Sequence, residues 1–265
     1  MTGDGGVEDW GAYFSGINGK PAFVVADLAL RDQARFADHP RLLYAQVAMR
    51  NPDSSGLASH EEETLFVMED AMIAALTREA KAIYAGKVSS DGQVSYFFYG
   101  APENSPGRAP SGRQKEKEVE PLCAQLDQVM KAFPAYRYDR YEFDEPGWDG
   151  YLNVLYPSEW EMQTLQNLRL LETLHRQGDQ VDVVREIDHF MYCNTLEIQR
   201  EIMHQGEALG FRVSARDREG PDGRYGVSLS KDGVPGDIDD IVWPLLELAR
   251  NLGAEYDGWG AAVVS

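Results

Sequence analysis

The sequence predicts an α+β protein of two domains, and three observations predict it. Strand-type and helix-type segments follow one order, strand, helix, strand, strand, helix, strand, and that order occurs twice. Turn signals separate the paired strands within each run. The break Asp144-Glu145-Pro146-Gly147 falls between the two runs. A chain of 265 residues suits two domains of ordinary size. Hydrophobic residues make up 43%, the usual globular share, so a core can form in each.

In the first half, Phe23 to Leu30 is a short apolar run after a Gly-Lys-Pro turn, and predicts a strand. Leu42 to Met49 predicts a second, ended by Asn51-Pro52. Ser59 before Glu61, Glu62 and Glu63 has the form of a helix N-cap with acids at the positive end of the helix dipole. Leu65, Met68, Met72 and Leu76 follow at helical spacing, so the helix runs to about Arg78. Ala82 to Ser89 and Gln93 to Tyr99 flank Asp91-Gly92, a strong hairpin signal. The polar stretch Ala101 to Lys117 reads as a loop within the domain. Leu122, Leu126, Val129 and Met130 predict a helix over Val119 to Phe133, and Tyr136 to Phe143 alternates as a half-exposed strand.

Trp148 to Tyr156 and Glu159 to His175 read as a connecting helical region, closed by Gly178. The order then repeats. Val184 to Cys193 predicts a strand. Asn194 or Thr195 caps a helix that ends at Gly210. Phe211 to Arg216 and Tyr225 to Ser230 predict strands around Gly220-Pro221-Asp222-Gly223. Asp237 to Leu252 predicts a helix ended by Gly253, with a kink at Pro244 or a true start near Val242. Glu255 to Val264 predicts the last strand. This order is that of the split βαβ unit of ferredoxin-like folds. The expectation is two ferredoxin-like α/β sandwiches with antiparallel sheets, over 10–157 and 158–265, the first with one extra strand in front. Each such sheet leaves its second face to solvent, a sister domain or a partner.

Charge narrows the function. Lys+Arg total 25 against Asp+Glu 44, a formal net charge of -19. That balance disfavours nucleic-acid backbones and anionic membranes, and favours encounter with a basic partner. No apolar stretch approaches the roughly 20 residues of a membrane span. Met1 to Glu8 has neither the basic nor the apolar region of a signal peptide. With two cysteines, Cys123 and Cys193, a cytoplasmic location is expected.

The chemistry-bearing motifs are sparse. Gly16-Ile17-Asn18-Gly19-Lys20 lacks the spacing and the Ser/Thr of a phosphate-binding loop and reads as a turn between two strands. No Gly-x-Ser-x-Gly elbow occurs. The five histidines form no metal-ligand pair, and His60 beside Glu61 to Glu63 reads as a charge cluster at a helix start. His189 and Cys193 are four apart on a strand, about 13 Å, too far to hydrogen-bond. The carboxylates at Asp237, Asp239 and Asp240 fall at another helix start. We therefore expect no catalytic residue, no metal and no cofactor. Tyr256-Asp257-Gly258-Trp259-Gly260 stands apart: two glycines in a strand mark a bulge or a close backbone approach, and the aromatics suit a core or an interface. In the expected sheet this segment lies beside Asp188 to Cys193.

Leu170-Leu171-Glu172, Gly178-Asp179, Ile187-Asp188-His189-Phe190, Ala208-Leu209-Gly210-Phe211 and Glu255-Tyr256-Asp257-Gly258-Trp259-Gly260 resemble the regulator of ribonuclease E activity B family, over about Glu161 to Val264. The resemblance implies a ferredoxin-like sandwich that binds ribonuclease E, inhibits RNA processing and is not an enzyme. The first half, over Trp10 to Pro157, resembles the domain of unknown function 695 family. It does so through Gly19-Lys20-Pro21-Ala22, Asp27-Leu28-Ala29-Leu30, Gly56-Leu57, Glu69-Asp70, Phe97-Phe98-Tyr99 and Tyr151 to Pro157.

The function expected is a non-enzymatic, protein-binding regulator whose partner has a basic surface, with ribonuclease E as the candidate and no direct contact to nucleic acid or membrane. Asp188, His189, Tyr256, Asp257 and Trp259 are the expected contact residues, the acids meeting basic groups and the aromatics supplying apolar area. The alternatives are a small-molecule-binding protein or enzyme with a site between the domains, and an oligomerisation module. The sequence does not set the oligomeric state.

Overall fold

The computed structural model describes residues 7–32, 36–57, 60–78, 80–102, 122–219 and 223–264, without the side chains of 215–219. The expected Ser59 cap, most of the 101–117 loop, residues 119–121 and the turn residues 220–222 lie outside them. Helices and antiparallel strands are mixed throughout, and the chain divides into two compact units, 1–161 and 162–265. No described helix is long and apolar enough to cross a membrane.

Unit 1 begins with a hairpin. Strands β1 (Trp10–Ile17) and β2 (Lys20–Asp27) pair in register around Asn18-Gly19. Both turn residues have positive φ, 52° and 75°, as a two-residue primed turn requires. The expected strand to Leu30 stops early. The Asp27 carboxylate accepts the Ala29 and Asp9 amides and turns Leu28–Arg31 into a helical turn. Strand β3 (Arg41–Ala48), helix α1 (Glu62–Arg78), strands β4 (Ile83–Ser90) and β5 (Gln93–Gly100), helix α2 (Leu122–Met130) and strand β6 (Tyr138–Asp144) follow. The β4–β5 turn is Asp91-Gly92, also at positive φ. The sheet order is β1-β2-β4-β5-β3-β6, so the sequence's single extra strand is a two-stranded extension.

The central strands of this sheet are covered on both faces. Leu65, Met68, Met72 and Leu76 of α1 and Leu126 of α2 pack on Leu43, Ala45, Tyr96 and Phe98. The other face is closed by residues 148–156, expected only as a connection. A π-helical turn, Tyr151–Leu155, buries both its end residues completely. The Tyr151 hydroxyl donates to the Asp27 carbonyl (2.9 Å), and the Tyr13 hydroxyl to that of Leu155 (2.8 Å). Trp148 stacks on Tyr99 at 3.7 Å between ring centroids and donates its Nε1–H to the His39 carbonyl.

Helix α3 (Glu159–Arg176) leads into unit 2, which comprises β7 (Arg185–Cys193), α4 (Leu196–Ala208), β8 (Arg212–Glu219), β9 (Tyr225–Gly233), α5 (Ile238–Leu252) and β10 (Glu255–Ala261). Thr195, the second of the two expected caps, accepts the Ile198 amide on its Oγ1. Gly178, Gly210 and Gly253 all take positive φ where helices end. Helix α5 starts at Ile238 and runs through Pro244, so the start near Val242 does not occur. The sheet order is β10-β7-β9-β8, all antiparallel. Its core is Met191, Ile202, Val227, Leu229, Leu245 and their neighbours, with Ile187, Val242 and Trp259 alongside.

Candidate protein-binding face of unit 2

Strand β7 alternates. Ile187, His189, Met191 and Cys193 are buried, while Glu186 and Asp188 are exposed and Phe190 and Tyr192 half-buried. Successive strand side chains point to opposite faces, so the second set lies on the sheet face away from the core. In register beside it, β9 brings Ser228 opposite Phe190 and Ser230 opposite Asp188. On the other side, β10 brings Gly258 opposite Phe190 and Gly260 opposite Asp188. The result is a shallow face with one aromatic row and small residues on either side.

The two glycines differ. Gly258 sits at φ 125° directly after a bulge, a conformation that L side chains avoid. Gly260 has no positive φ, and a Cβ placed on it would meet nothing within 4 Å. Neither backbone conformation nor internal packing demands glycine at 260.

The charges on this face are mostly acidic. Arg212 pairs with both Glu186 and Asp232, and Arg224 pairs with Glu255 while lying 5.3 Å from the centre of the Tyr192 ring. Among the described residues no cation pairs with Asp188 or with Asp257, which is exposed at the bulge.

The five expected contact residues come together on the β7–β10 pair, but not on one face. Trp259 lies opposite His189, both directed into the core, at 7% and 0% exposure. The Trp259 Nε1–H donates to Asn167 Oδ1 at 2.9 Å. Asn167 also accepts from Gln163 and donates to Asp239, which Thr164 bonds in turn. These links tie α3, α5 and β10 together, and Asp239 has this structural task at its helix start. His189 Nδ1 is 2.9 Å from the Tyr256 hydroxyl, and its Nε2 has no partner among the described residues. Burial first, and the Lys231 charge second, hold its pKa down at about 4, so the ring is neutral near pH 7. Burial pushes the Tyr256 hydroxyl well above its usual range. Cys193 is buried with a raised pKa, the state of an inert core thiol.

Of the five, only Asp188 and Asp257 reach outward. Phe190, Tyr192 and Gly260, absent from the sequence-derived set, lie on the outer face with Asp188. The period-two alternation of β7 was the signal that could have found Phe190 and Tyr192.

Unit 2 is thus a small α+β domain with its helices on one face of an antiparallel sheet and an acidic, aromatic-bearing second face. Residues 165–261 match the family described as Regulator of ribonuclease activity B, and residues 8–107 match the Family of unknown function (DUF695). The chain is 29% identical over 109 residues to the Regulator of ribonuclease activity B of Escherichia coli (strain K12), across 39% of this chain and 79% of that protein. The protein of the same name from Shigella flexneri matches equally. Both sequence resemblances are therefore met, although the N-terminal match stops short of Tyr151 to Pro157. A solved structure of an unknown protein from Galdieria sulphuraria covers 85% of this chain and 100% of its own at 8% identity, with a TM-score of 0.22. That likeness is too distant to bear on function.

Proposed function

We propose that the C-terminal domain, 158–265, is a ferredoxin-like sandwich that acts as a non-enzymatic regulator. It binds an RNA-processing ribonuclease, ribonuclease E being the candidate, through the open face of its sheet. The strand order β10-β7-β9-β8 supports the fold reading, and the similarity to regulators of ribonuclease activity supports the role. One observation carries the choice of surface. Gly260 leaves a gap beside Asp188 and Phe190 that no internal contact explains. A glycine in such a place lets another backbone approach closely.

In this reading the partner lays a basic segment along β7 and β10. Asp188 and Asp257 meet its cations, and Phe190 and Tyr192 supply the apolar contact. His189, Tyr256 and Trp259 act from beneath, holding the strand pair flat. The N-terminal domain, 10–157, has no assigned part in the contact, and the acidity of the chain, -19 overall, suits encounter with a basic surface in the cytoplasm.

The test is binding of the full chain to purified ribonuclease E, read by interferometry at low and moderate salt. Wild type binds, more weakly as salt rises. Gly260→Trp removes binding with thermal stability unchanged, and Asp188→Lys weakens it on the order of tenfold. No binding at either salt, or full binding by Gly260→Trp, refutes the proposal.

A further inference from the structure

The six-stranded sheet of unit 1 is wider than the two helices that cover its inner face. The inward residues of β2, Phe23 and Val25, are only half-buried beneath this cover. They line one side of a cavity of about 310 Å³ whose other side is α1, with Leu65 and Phe66. Register carries the floor across the sheet: Val25 lies opposite Lys87, and Lys87 opposite Tyr96. The volume falls at the small end of the range for ligand pockets, and the lining is mainly apolar as such pockets require.

Tyr96 forms part of the cavity wall, and its enclosed hydroxyl lacks a partner. Tyr96 is 0% exposed, and its hydroxyl makes no hydrogen bond among the described residues. The obvious acceptor is taken. The Glu69 carboxylate accepts the Tyr84 hydroxyl on one oxygen (2.7 Å) and pairs with Lys87 on the other. A buried hydroxyl left without a partner carries a desolvation cost, so it has to be offset elsewhere in the fold or satisfied on binding.

We infer that this cavity binds an uncharged amphipathic small molecule, its apolar body between Phe23 and Phe66 and an oxygen acceptor on the Tyr96 hydroxyl. The charge state follows from the lining. Lys87 is neutralised by Glu69 and lies 4.9 Å from the centre of the Phe66 ring, and Glu62 adds a further negative charge at the wall. An anionic head would therefore meet net repulsion. The hydroxyl is enclosed in this conformation, so a ligand reaches it only as the wall opens, which favours a small molecule over a macromolecular surface. Phe66, 56% exposed, is the side chain able to change rotamer and admit the head group.

The experiment is a fluorescence titration of the full chain with N-phenyl-1-naphthylamine, followed by displacement with 1-octanol and, separately, octanoate. We expect saturable binding at one site. Octanol displaces the dye at concentrations at least tenfold below octanoate. Tyr96→Phe keeps the dye but weakens octanol roughly five- to tenfold, the share of one hydrogen bond. Val25→Trp fills the cavity and removes dye binding. If it fails to fold, Ser89→Leu on the same wall replaces it. Unsaturable dye binding overturns the inference, and so does an unchanged octanol affinity in Tyr96→Phe. Dye binding that fades as protein concentration rises, with a dimer in light scattering, assigns the groove to a second copy and overturns it too.

Discussion

Strands β5 and β9 hold the same place in the two repeats, yet they are built differently. In β5, Tyr96, Phe97, Phe98 and Tyr99 are all buried, because α1 and α2 cover one face and the Trp148–Tyr156 segment the other. In β9, Val227 and Leu229 are buried while Ser228 and Ser230 between them are only half-buried. A continuous apolar run marks a strand covered on both faces, and alternation a strand covered on one. The same order of elements therefore yields a strand covered on both faces by its own chain in unit 1 and one with a face to offer in unit 2.

The sharpest way to test that contrast is to remove the large aromatic residue that anchors each unit. Trp259→Ala leaves a cavity under β10 and removes one of the two donors to Asn167 Oδ1. Trp148→Ala removes the ring stacked on Tyr99 and uncovers the second face of the unit 1 sheet. Each should cost about 3–5 kcal/mol, the usual range for a buried Trp. Hydrogen exchange followed by mass spectrometry should locate the loss in the mutated unit alone. Loss in both units for either variant would show that the two cores are not independent.

The next effect separates the units by pH. His189 titrates at about 4 in the folded chain against its ordinary 6.5. Between those values the unfolded chain holds the proton and the folded one does not, so folding weakens as pH falls through the window. Below about 4 both states are protonated and this group adds no further loss. At ~1.4 kcal/mol per pH unit the full effect is about 3 kcal/mol. Urea unfolding of unit 2 from pH 7 to pH 4 should show it, and His189→Phe should flatten that part of the profile. A wild-type slope retained in the variant would assign the effect to other groups.

How much of this was legible beforehand follows local physics. The Asp91-Gly92 hairpin, the Thr195 cap and the glycines that end the helices could be read because each is set by residues a few positions apart. Strand β1 was harder to see. Gly11, Ala12, Ser15 and Gly16 dilute its apolar pattern, and Asn18-Gly19 was its one clear signal. The cover supplied by Trp148–Tyr156 depends on partners more than 100 residues away, as in Tyr151 to Asp27 and Trp148 to His39. The expected contact residues fall on one pair of strands, β7 and β10, but with its faces mixed. Tyr256 and Trp259 are three apart, and in a regular strand they would point to opposite sides. The bulge between Tyr256 and Gly258 shifts the phase by one and turns both inward, against Met191 and His189. A bulge of this kind is set by strand pairing, which the local sequence only hints at through Gly258.

The two glycines of β10 provide the smallest and most selective test. Gly258→Ala forces a Cβ onto a residue at φ 125°, which should destabilise unit 2 by about 1–3 kcal/mol whatever space surrounds it. Gly260→Ala meets no atom within 4 Å and has an ordinary φ, so its stability should stay within about 0.5 kcal/mol of wild type. The binding readout runs the other way per unit of stability lost. Gly260→Ala adds a methyl group in the gap beside Asp188 and should weaken the partner with no thermal shift, whereas any loss in Gly258→Ala should follow its destabilisation. Equal stability costs at both positions would mean that β10 tolerates no side chain on that face for reasons internal to the fold. The case for a partner approaching at Gly260 would then lose its main support.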